Sequence, residues 1–203
     1  MTDSAPLPPP PGGGKAAWRR FARALRAAHA GGEPASFLSA LRRDRRWDAA
    51  RTAMLFLPFG VEPRTDDLVA DLLARGRRAC VPAWVPDGAF ETCCAWPPPG
   101  AYAPAVFDPD EPTSAGPMGI PEPTDKLWVR PETIDLFLLP GLLFDRRGTR
   151  LGHGRGWLDR LLAGRRPDAA VLGLAFPWQV VEGPLPCAPH DVPMDAVILP
   201  DPR

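Results

Sequence analysis

The stretch AMLFLPFGVEPRTDDLVADLLARGRRACV, residues 53–81, decides the fold class. Ala53 to Phe59 is a continuous apolar run closed by Gly60, short enough for a strand buried on both faces. Thr65 then reads as a helix cap, Leu68, Leu72 and Leu73 recur at helical spacing, and Gly76 stops the helix. Ala79 to Val81 is the next strand. A strand–helix–strand order of this kind implies a right-handed crossover and a parallel sheet.

The pattern extends in both directions. Downstream, Ile134 to Leu139 is the clearest strand, Ala170 to Phe176 another, and Asp195 to Leu199 a short last one, with a helix from about Trp157 to Ala163 between them. Upstream, Trp18, Phe21, Ala22 and Leu25 recur at helical spacing within Lys15 to His29, and a second helix is expected from Ser36 to Arg46. Phe90 to Trp96 is a further strand candidate. Residues 97–131 hold ten prolines and little periodicity, which reads as a long surface loop. Residues 1–14, with Pro8 to Pro11 and Gly12 to Gly14, bury almost nothing and are expected to be a disordered lead-in. The expected architecture for residues 15–203 is a single-domain, three-layer α/β/α fold around a mostly parallel, Rossmann-like sheet.

Composition excludes several classes. At 45% hydrophobic and 24% charged residues, the 203-residue chain is globular. Lys+Arg and Asp+Glu both number 24, and zero net charge argues against a nucleic-acid or anionic-membrane binder. An RNA-binding reading built on Arg42 to Arg46 and on Arg19, Arg20, Arg23 and Arg26 also lacks aromatic residues patterned for base stacking. The four cysteines contain no C-x-x-C pair and are expected to be reduced thiols. The longest apolar stretch, Leu136 to Phe144, is broken by Pro140 and Gly141 and falls far short of the roughly 20 residues of a membrane span. With no basic segment leading an apolar core at the N-terminus, a cytoplasmic location is expected. A monomer is the expected state, with a weak dimer as the alternative.

One segment carries chemistry: RLGHGRGWLD, residues 150–159, after the strand Ile134 to Leu139. Gly152, Gly154 and Gly156 alternate, so backbone N–H groups can converge on an anion without side-chain obstruction. The helix starting near Trp157 adds the positive end of its dipole. Arg150 and Arg155 bring full charges, and Asp159 lies where a carboxylate can hold a magnesium ion that bridges phosphates. These are components of a nucleotide-phosphate site, although the spacing matches neither a Walker A loop nor the dinucleotide fingerprint. A tight connection with solvated arginines is the plain alternative.

The longer segment LLPGLLFDRRGTRLGHGRGWLDRLL, residues 138–162, resembles the signature of the 5-formyltetrahydrofolate cyclo-ligase family. The likeness runs from Lys15 to about Ile198. It takes in Lys15 and Arg19, Glu62 and Thr65, Gly119 to Pro123 (GIPEP), and His190 to Asp195 (HDVPMD). The resemblance implies ATP- and Mg2+-dependent cyclisation of 5-formyltetrahydrofolate to 5,10-methenyltetrahydrofolate, through an imidate phosphate on the formyl oxygen. It implies catalytic roles for Arg150, Arg155 and Glu62. It implies ATP contacts at Lys15, Arg19, Arg150, Leu151, Gly152, His153, Gly154, Arg155, Gly156, Trp157 and Leu158. Folate contacts are implied at Leu57, Glu62, His153 and Trp157, and magnesium-associated carboxylates at Asp159 and Asp191. The partners implied are small molecules, with no nucleic acid and no membrane. Where the family signature has Tyr-Tyr this chain has Trp157-Leu158, and Leu158 carries no hydroxyl. Met118 stands where relatives have a tryptophan. A family member that binds nucleotide and folate with lost or altered catalysis is the alternative, and Leu158 is its one support.

Overall fold

The computed structural model describes residues 13–30, 35–87, 96–117 and 119–202. The N-terminal arm is helix α1 (Lys15–Ala28), followed by two short helices, α2 (Leu38–Arg42) and α3 (Arg45–Ala49). Then come β1 (Thr52–Met54), α4 (Asp66–Ala74), β2 (Arg78–Val85), β3 (Ala101–Val106) and a hairpin of β4 (Thr113–Ala115) and β5 (Pro121–Pro123). The second half contains β6 (Leu136–Leu139), β7 (Leu143–Asp145), β8 (Arg150–Leu151), α5 (Trp157–Leu162), β9 (Ala170–Leu174), β10 (Val180–Val181) and β11 (Ala196–Ile198).

Six strands form the central sheet in the order β11-β9-β6-β1-β2-β3, all pairs parallel except the antiparallel edge pair β2–β3. The chain moves outward from β1 to β3, then restarts beside β1 at β6 and moves outward on the other side. This reversal creates a switch point between β1 and β6, as in Rossmann-like sheets. Successive residues of β6 serve opposite faces, as the period of a strand requires. Leu136 and Leu138 pack with Phe37, Leu41, Trp47 and Leu72 of the helices before and after β1. Phe137 and Leu139 pack with Leu158, Leu161 and Leu162 of α5. The sheet is therefore covered on both sides. On a second, smaller sheet, β10-β7-β8, α1 packs its stripe of Trp18, Ala22 and Leu25 against Leu143 and Leu151.

Four sequence expectations need correction. The single helix over 36–46 is two helices, because Asp44 leaves the helical region (φ −92°, ψ 118°) and its carboxylate accepts the Arg46 N–H at the start of α3. The strand over 53–59 pairs only as far as Met54; Leu55 and Phe56 stay buried as the chain leaves the ladder. Thr65 does not cap α4 with its side chain; its Oγ1 donates to the Phe56 carbonyl at 2.7 Å and ties the helix start to the end of β1. Finally, residues 97–131 include a full edge strand and a hairpin as well as loop. Pro104 of β3 lies directly opposite Pro82 of β2; β3 is the sheet edge, and Pro82 lies past Cys80, the last residue of β2 in register with β1, so both positions tolerate a missing donor. Of the expected strand 90–96, residues 90–95 lie outside the described residues, as does the lead-in except Gly13 and Gly14.

Candidate functional site

The C-terminal ends of β1 and β6 open onto two adjoining clefts at the switch point. One is mainly apolar, about 320 Å³, walled by Met54 to Leu57, Phe59, Pro82, Tyr102, Ile120 and Pro121, and Leu138 to Pro140. The other is polar, about 140 Å³, and is lined by Lys15, Arg19, residues 150–159, His190 and Asp191. Glu62, Pro140, His153, Arg155, Trp157 and Leu158 line both and form the junction. Every site residue expected from the sequence except Leu57 lines the polar cleft, and Leu57 lines the apolar one.

The Gly-rich loop takes its shape from two requirements. Gly154 (φ +100°) and Gly156 (φ +63°) occupy the left-handed region, which other residues enter only with strain. A Cβ at Gly154 would also stand 2.9 Å from the guanidinium carbon of Arg19, whose Nε donates to the Gly152 carbonyl at 3.0 Å. No backbone carbonyl of the described residues accepts from the N–H groups of residues 152–159, and no side chain caps α5. Because α5 has only six residues, free N–H groups matter more here than a summed helix dipole.

Charge in the polar cleft is arranged in pairs. Lys15, the first residue of α1, forms an ion pair with Asp191, which also accepts the Ala188 N–H at 2.7 Å. Burial acts to raise the Asp191 pKa, but the Lys15 ammonium and the Ala188 N–H outweigh it and leave the carboxyl below its ordinary value. Arg150 is nearly buried, its side chain 7% exposed, with Nη2 at 3.3 and 3.4 Å from the Asp159 oxygens. Burial lowers the Arg150 pKa, and Asp159 and Asp191 act against that shift. Arg155 lies exposed at the junction and pairs with no carboxylate of the described residues. At the other side of the junction, Glu62 accepts the Phe59 N–H at 3.0 Å, with Arg26 at 3.8 Å and the exposed His153 ring at 3.9 Å.

The carboxylates suit a hard cation shared with phosphate. Among the described residues no three His, Cys, Asp or Glu side chains gather into a metal cage. Asp159 and Asp191 alone suit magnesium, which usually takes one or two carboxylates and completes its shell with water and phosphate oxygens.

Sequence reasoning missed one part of the apolar cleft. Tyr102 of β3 packs on Trp157 with ring centroids 4.7 Å apart and the rings tilted by 39°, and it meets Trp84 edge-on at 5.2 Å. Ile120 and Pro121 of the hairpin face the same space. Tyr102 was hidden within the proline-rich stretch, its one available signal being that it is the only tyrosine in the chain, whereas Ile120 and Pro121 belong to the GIPEP segment that the resemblance had already marked.

Fold and site together define a class: a doubly wound α/β domain with an apolar cleft at the switch point and a polar cleft lined by a glycine- and arginine-rich loop beside it. The model of the 5-formyltetrahydrofolate cyclo-ligase family matches residues 19–200. The 5-formyltetrahydrofolate cyclo-ligase of Mycolicibacterium smegmatis is 33% identical over 156 residues, which covers 75% of each chain. That of Escherichia coli K12 is 31% identical over 156 residues, covering 74% of this chain and 79% of the relative. The solved 5,10-methenyltetrahydrofolate synthetase of Aquifex aeolicus shares the fold with a TM-score of 0.67 at 21% identity, covering 89% of this chain and 88% of that one. The chain belongs to the 5-formyltetrahydrofolate cyclo-ligase family, and it is an enzyme of the ligase class.

Proposed function

We propose that this enzyme closes 5-formyltetrahydrofolate to 5,10-methenyltetrahydrofolate with ATP and magnesium, releasing ADP and phosphate. The observation that carries this reading is the junction, where one set of side chains borders both an apolar cleft and a phosphate-type cleft. A flat, fused heterocycle in the first cleft brings its formyl group to the mouth of the second.

The chemistry follows from what an amide lacks. Its oxygen is a poor leaving group, so the formyl oxygen attacks the γ-phosphorus, the bond to the bridging oxygen breaks and ADP departs. Nitrogen 10 then attacks the activated carbon, loses its proton, and phosphate leaves with the former formyl oxygen. Phosphoryl transfer relies chiefly on positioning and charge neutralisation. Lys15, Arg19 and Arg150, with the free N–H groups of the loop, serve the phosphates, and Arg155 serves the charge developing at the junction. Glu62, fixed by the Phe59 N–H, accepts from donors on the heterocycle, while Leu57 and Trp157 supply apolar walls. Asp159 and Asp191 would hold magnesium, which when bound neutralises phosphate charge. We also propose that it acts on small molecules in the cytoplasm as a monomer, with a weak dimer as the alternative.

The test is formation of the methenyl product, followed by its near-ultraviolet absorbance, with 5-formyltetrahydrofolate in the presence and absence of ATP and magnesium. Product only with both is expected. Tight nucleotide binding without product would refute the catalytic reading.

A further inference from the structure

Strand β2 outruns its neighbour. Cys80 is its last residue in register with β1, yet the strand continues to Val85. The Ala79 carbonyl accepts the Phe107 N–H from the β3 side, and backbone groups alternate sides along an antiparallel pair. Trp84, five residues on, therefore turns its N–H and C=O away from β3, to the side where β1 has ended. Side chains meet them there: Oε2 of Glu122 accepts the Trp84 N–H at 2.9 Å, Nζ of Lys126 donates to the Trp84 carbonyl at 2.9 Å, and the two side chains are 3.1 Å apart. Glu122 belongs to β5, whose hairpin carries Ile120 and Pro121 into the wall of the apolar cleft. Among the described residues, the backbone hydrogen bonds of residues 113–124 close within residues 112–124, and Glu122 alone of them bonds to the central sheet.

The Glu122 carboxylate is buried and held by one oxygen. Its Oε1 has no hydrogen-bond partner among the described residues, and neither has the hydroxyl of Tyr102, which lies opposite Trp84 in the ladder. Burial first, then the Glu122 charge, raise the pKa of that phenol against the lowering by Arg155. A Cβ at Gly116 would collide with Oε1, so a glycine there lets the hairpin close over the carboxylate. Unsatisfied buried groups cost stability, and a half-paired buried carboxylate is a poor stabiliser. What it supplies is position.

We propose that Glu122 and Lys126 are positioning residues: they stand in for the missing strand beside Trp84, seat the β4–β5 hairpin on the sheet, and thereby set the Ile120–Pro121 wall against which the heterocycle of the substrate packs. This rests on the proposed function, because the ligand that the wall serves is the folate.

The experiment compares Glu122→Ala, which removes the tie, with Glu122→Gln, which keeps an oxygen for the Trp84 N–H. The dissociation constant of 5-formyltetrahydrofolate, read by quenching of tryptophan fluorescence, should rise about 2- to 13-fold in Glu122→Ala, since losing one net hydrogen bond leaves fewer molecules with the wall in place. Glu122→Gln should stay within about two-fold of wild type. Both variants should hold kcat and the Michaelis constant for ATP. Ile120→Ala should weaken folate binding in the wild type and change it little in Glu122→Ala, whose wall is already displaced. Hydrogen exchange of the hairpin amides should speed up in Glu122→Ala while that of β1 and β6 stays level. Where Glu122→Ala does not fold, Lys126→Met cuts the other tie and carries the same expectations. An unchanged dissociation constant overturns the proposal, and so does an Ile120→Ala penalty equal in both backgrounds, the mark of a merely structural residue. A wild type that binds the folate without forming product refutes the catalytic reading alone, and the dissociation constants still decide the role of Glu122. A wild type that does not bind the folate overturns both.

Discussion

Arg150→Met tests the nucleotide loop most directly, because its structural and functional consequences separate. The side chain is walled in: a Cβ at Gly152 would stand 2.7 Å from Nη1, and one at Gly141 would stand 3.2 Å from Cγ. Methionine fills much of the stem's space and removes the charge. Its contacts with Asp159, at 3.3 and 3.4 Å, are long beside the roughly 2.7–2.9 Å of strong charge-assisted bonds. Asp159 also keeps the Val192 N–H at 3.3 Å and some access to water. The stability cost should therefore be about 1–3 kcal/mol, below the 3–5 kcal/mol of breaking a tight buried pair. Catalysis should lose more than that structural cost explains. One charge-assisted contact to phosphate is worth about 1.5–3 kcal/mol, or about 13- to 160-fold in kcat/KM for ATP. Steady-state rates with varied ATP at saturating 5-formyltetrahydrofolate, alongside thermal melts, read the two effects independently. Arg150→Lys should recover part of the activity, because a point charge replaces a fork. A folded Arg150→Met protein with ATP kinetics within about two-fold of wild type would mean that Arg150 only braces Asp159.

Trp157→Ala should weaken folate binding more than any change at position 158, since it removes the ring packed against Tyr102 and a wall of both clefts. Leu158→Tyr should not improve turnover: Leu158 is 6% exposed and packed in the core, so overpacking of about 1–3 kcal/mol offsets any hydrogen bond, and melting temperature with folate kinetics reads both. Gly154→Val should abolish ATP binding in calorimetry while lowering stability by about 1–3 kcal/mol, because it combines backbone strain with a clash at Arg19. Asp135 sits below its ordinary pKa of 3.8, since burial is outweighed by the Thr52 N–H, Arg166 and the Arg51 N–H. Its contribution is complete above that value and is lost as pH falls through the depressed folded-state pKa; Asp135→Asn should flatten the acid limb of thermal melts, and an unchanged limb would refute the linkage. Asp191→Asn should tighten metal-free ATP binding by releasing Lys15 and reduce the stimulation by magnesium; equal weakening with and without the metal would leave Asp191 as a turn residue held by the Ala188 N–H.

The legible parts were those in which local chemistry and tertiary role agree. The apolar run of β6 reads as a buried strand locally and in the sheet, and two of the alternating glycines of residues 152–156, Gly154 and Gly156, do take the positive φ that glycine alone adopts without strain. Asp44 broke a helix because a helical stripe and a capping carboxylate were competing for the same residues, and only the backbone geometry shows which wins. The proline-rich stretch failed for a different reason. Proline argues against a central strand, whereas β3 is an edge, and the ladder places Pro82 and Pro104 opposite each other. Missing β3 meant missing Tyr102 and the part of the apolar cleft that it walls. The ion pairs were illegible altogether: Lys15 and Asp191 are 176 positions apart, and nothing local marks them as partners.

On the proposed function, those pairs account for a triphosphate site in a chain of zero net charge. In the polar cleft Lys15 is closed on Asp191 and Arg150 on Asp159, so these cations are neutralised before any nucleotide arrives. On the proposed function, a magnesium–nucleotide complex offers each side a new partner, oxygens for the cations and a cation for the carboxylates. Binding then exchanges ion pairs instead of creating them, and little net charge has to be buried. Bare ATP satisfies only the cations and leaves both carboxylates facing phosphate, a like-charge contact in a partly buried site where screening is weak. On that proposal, the requirement for magnesium follows from the pairing of the side chains themselves. Two cations are exceptions, without a carboxylate partner among the described residues: Arg19, held by the Gly152 carbonyl, and, at the junction of the clefts, Arg155. The Arg155 charge is available without exchange at the place where the formyl oxygen would meet the phosphorus.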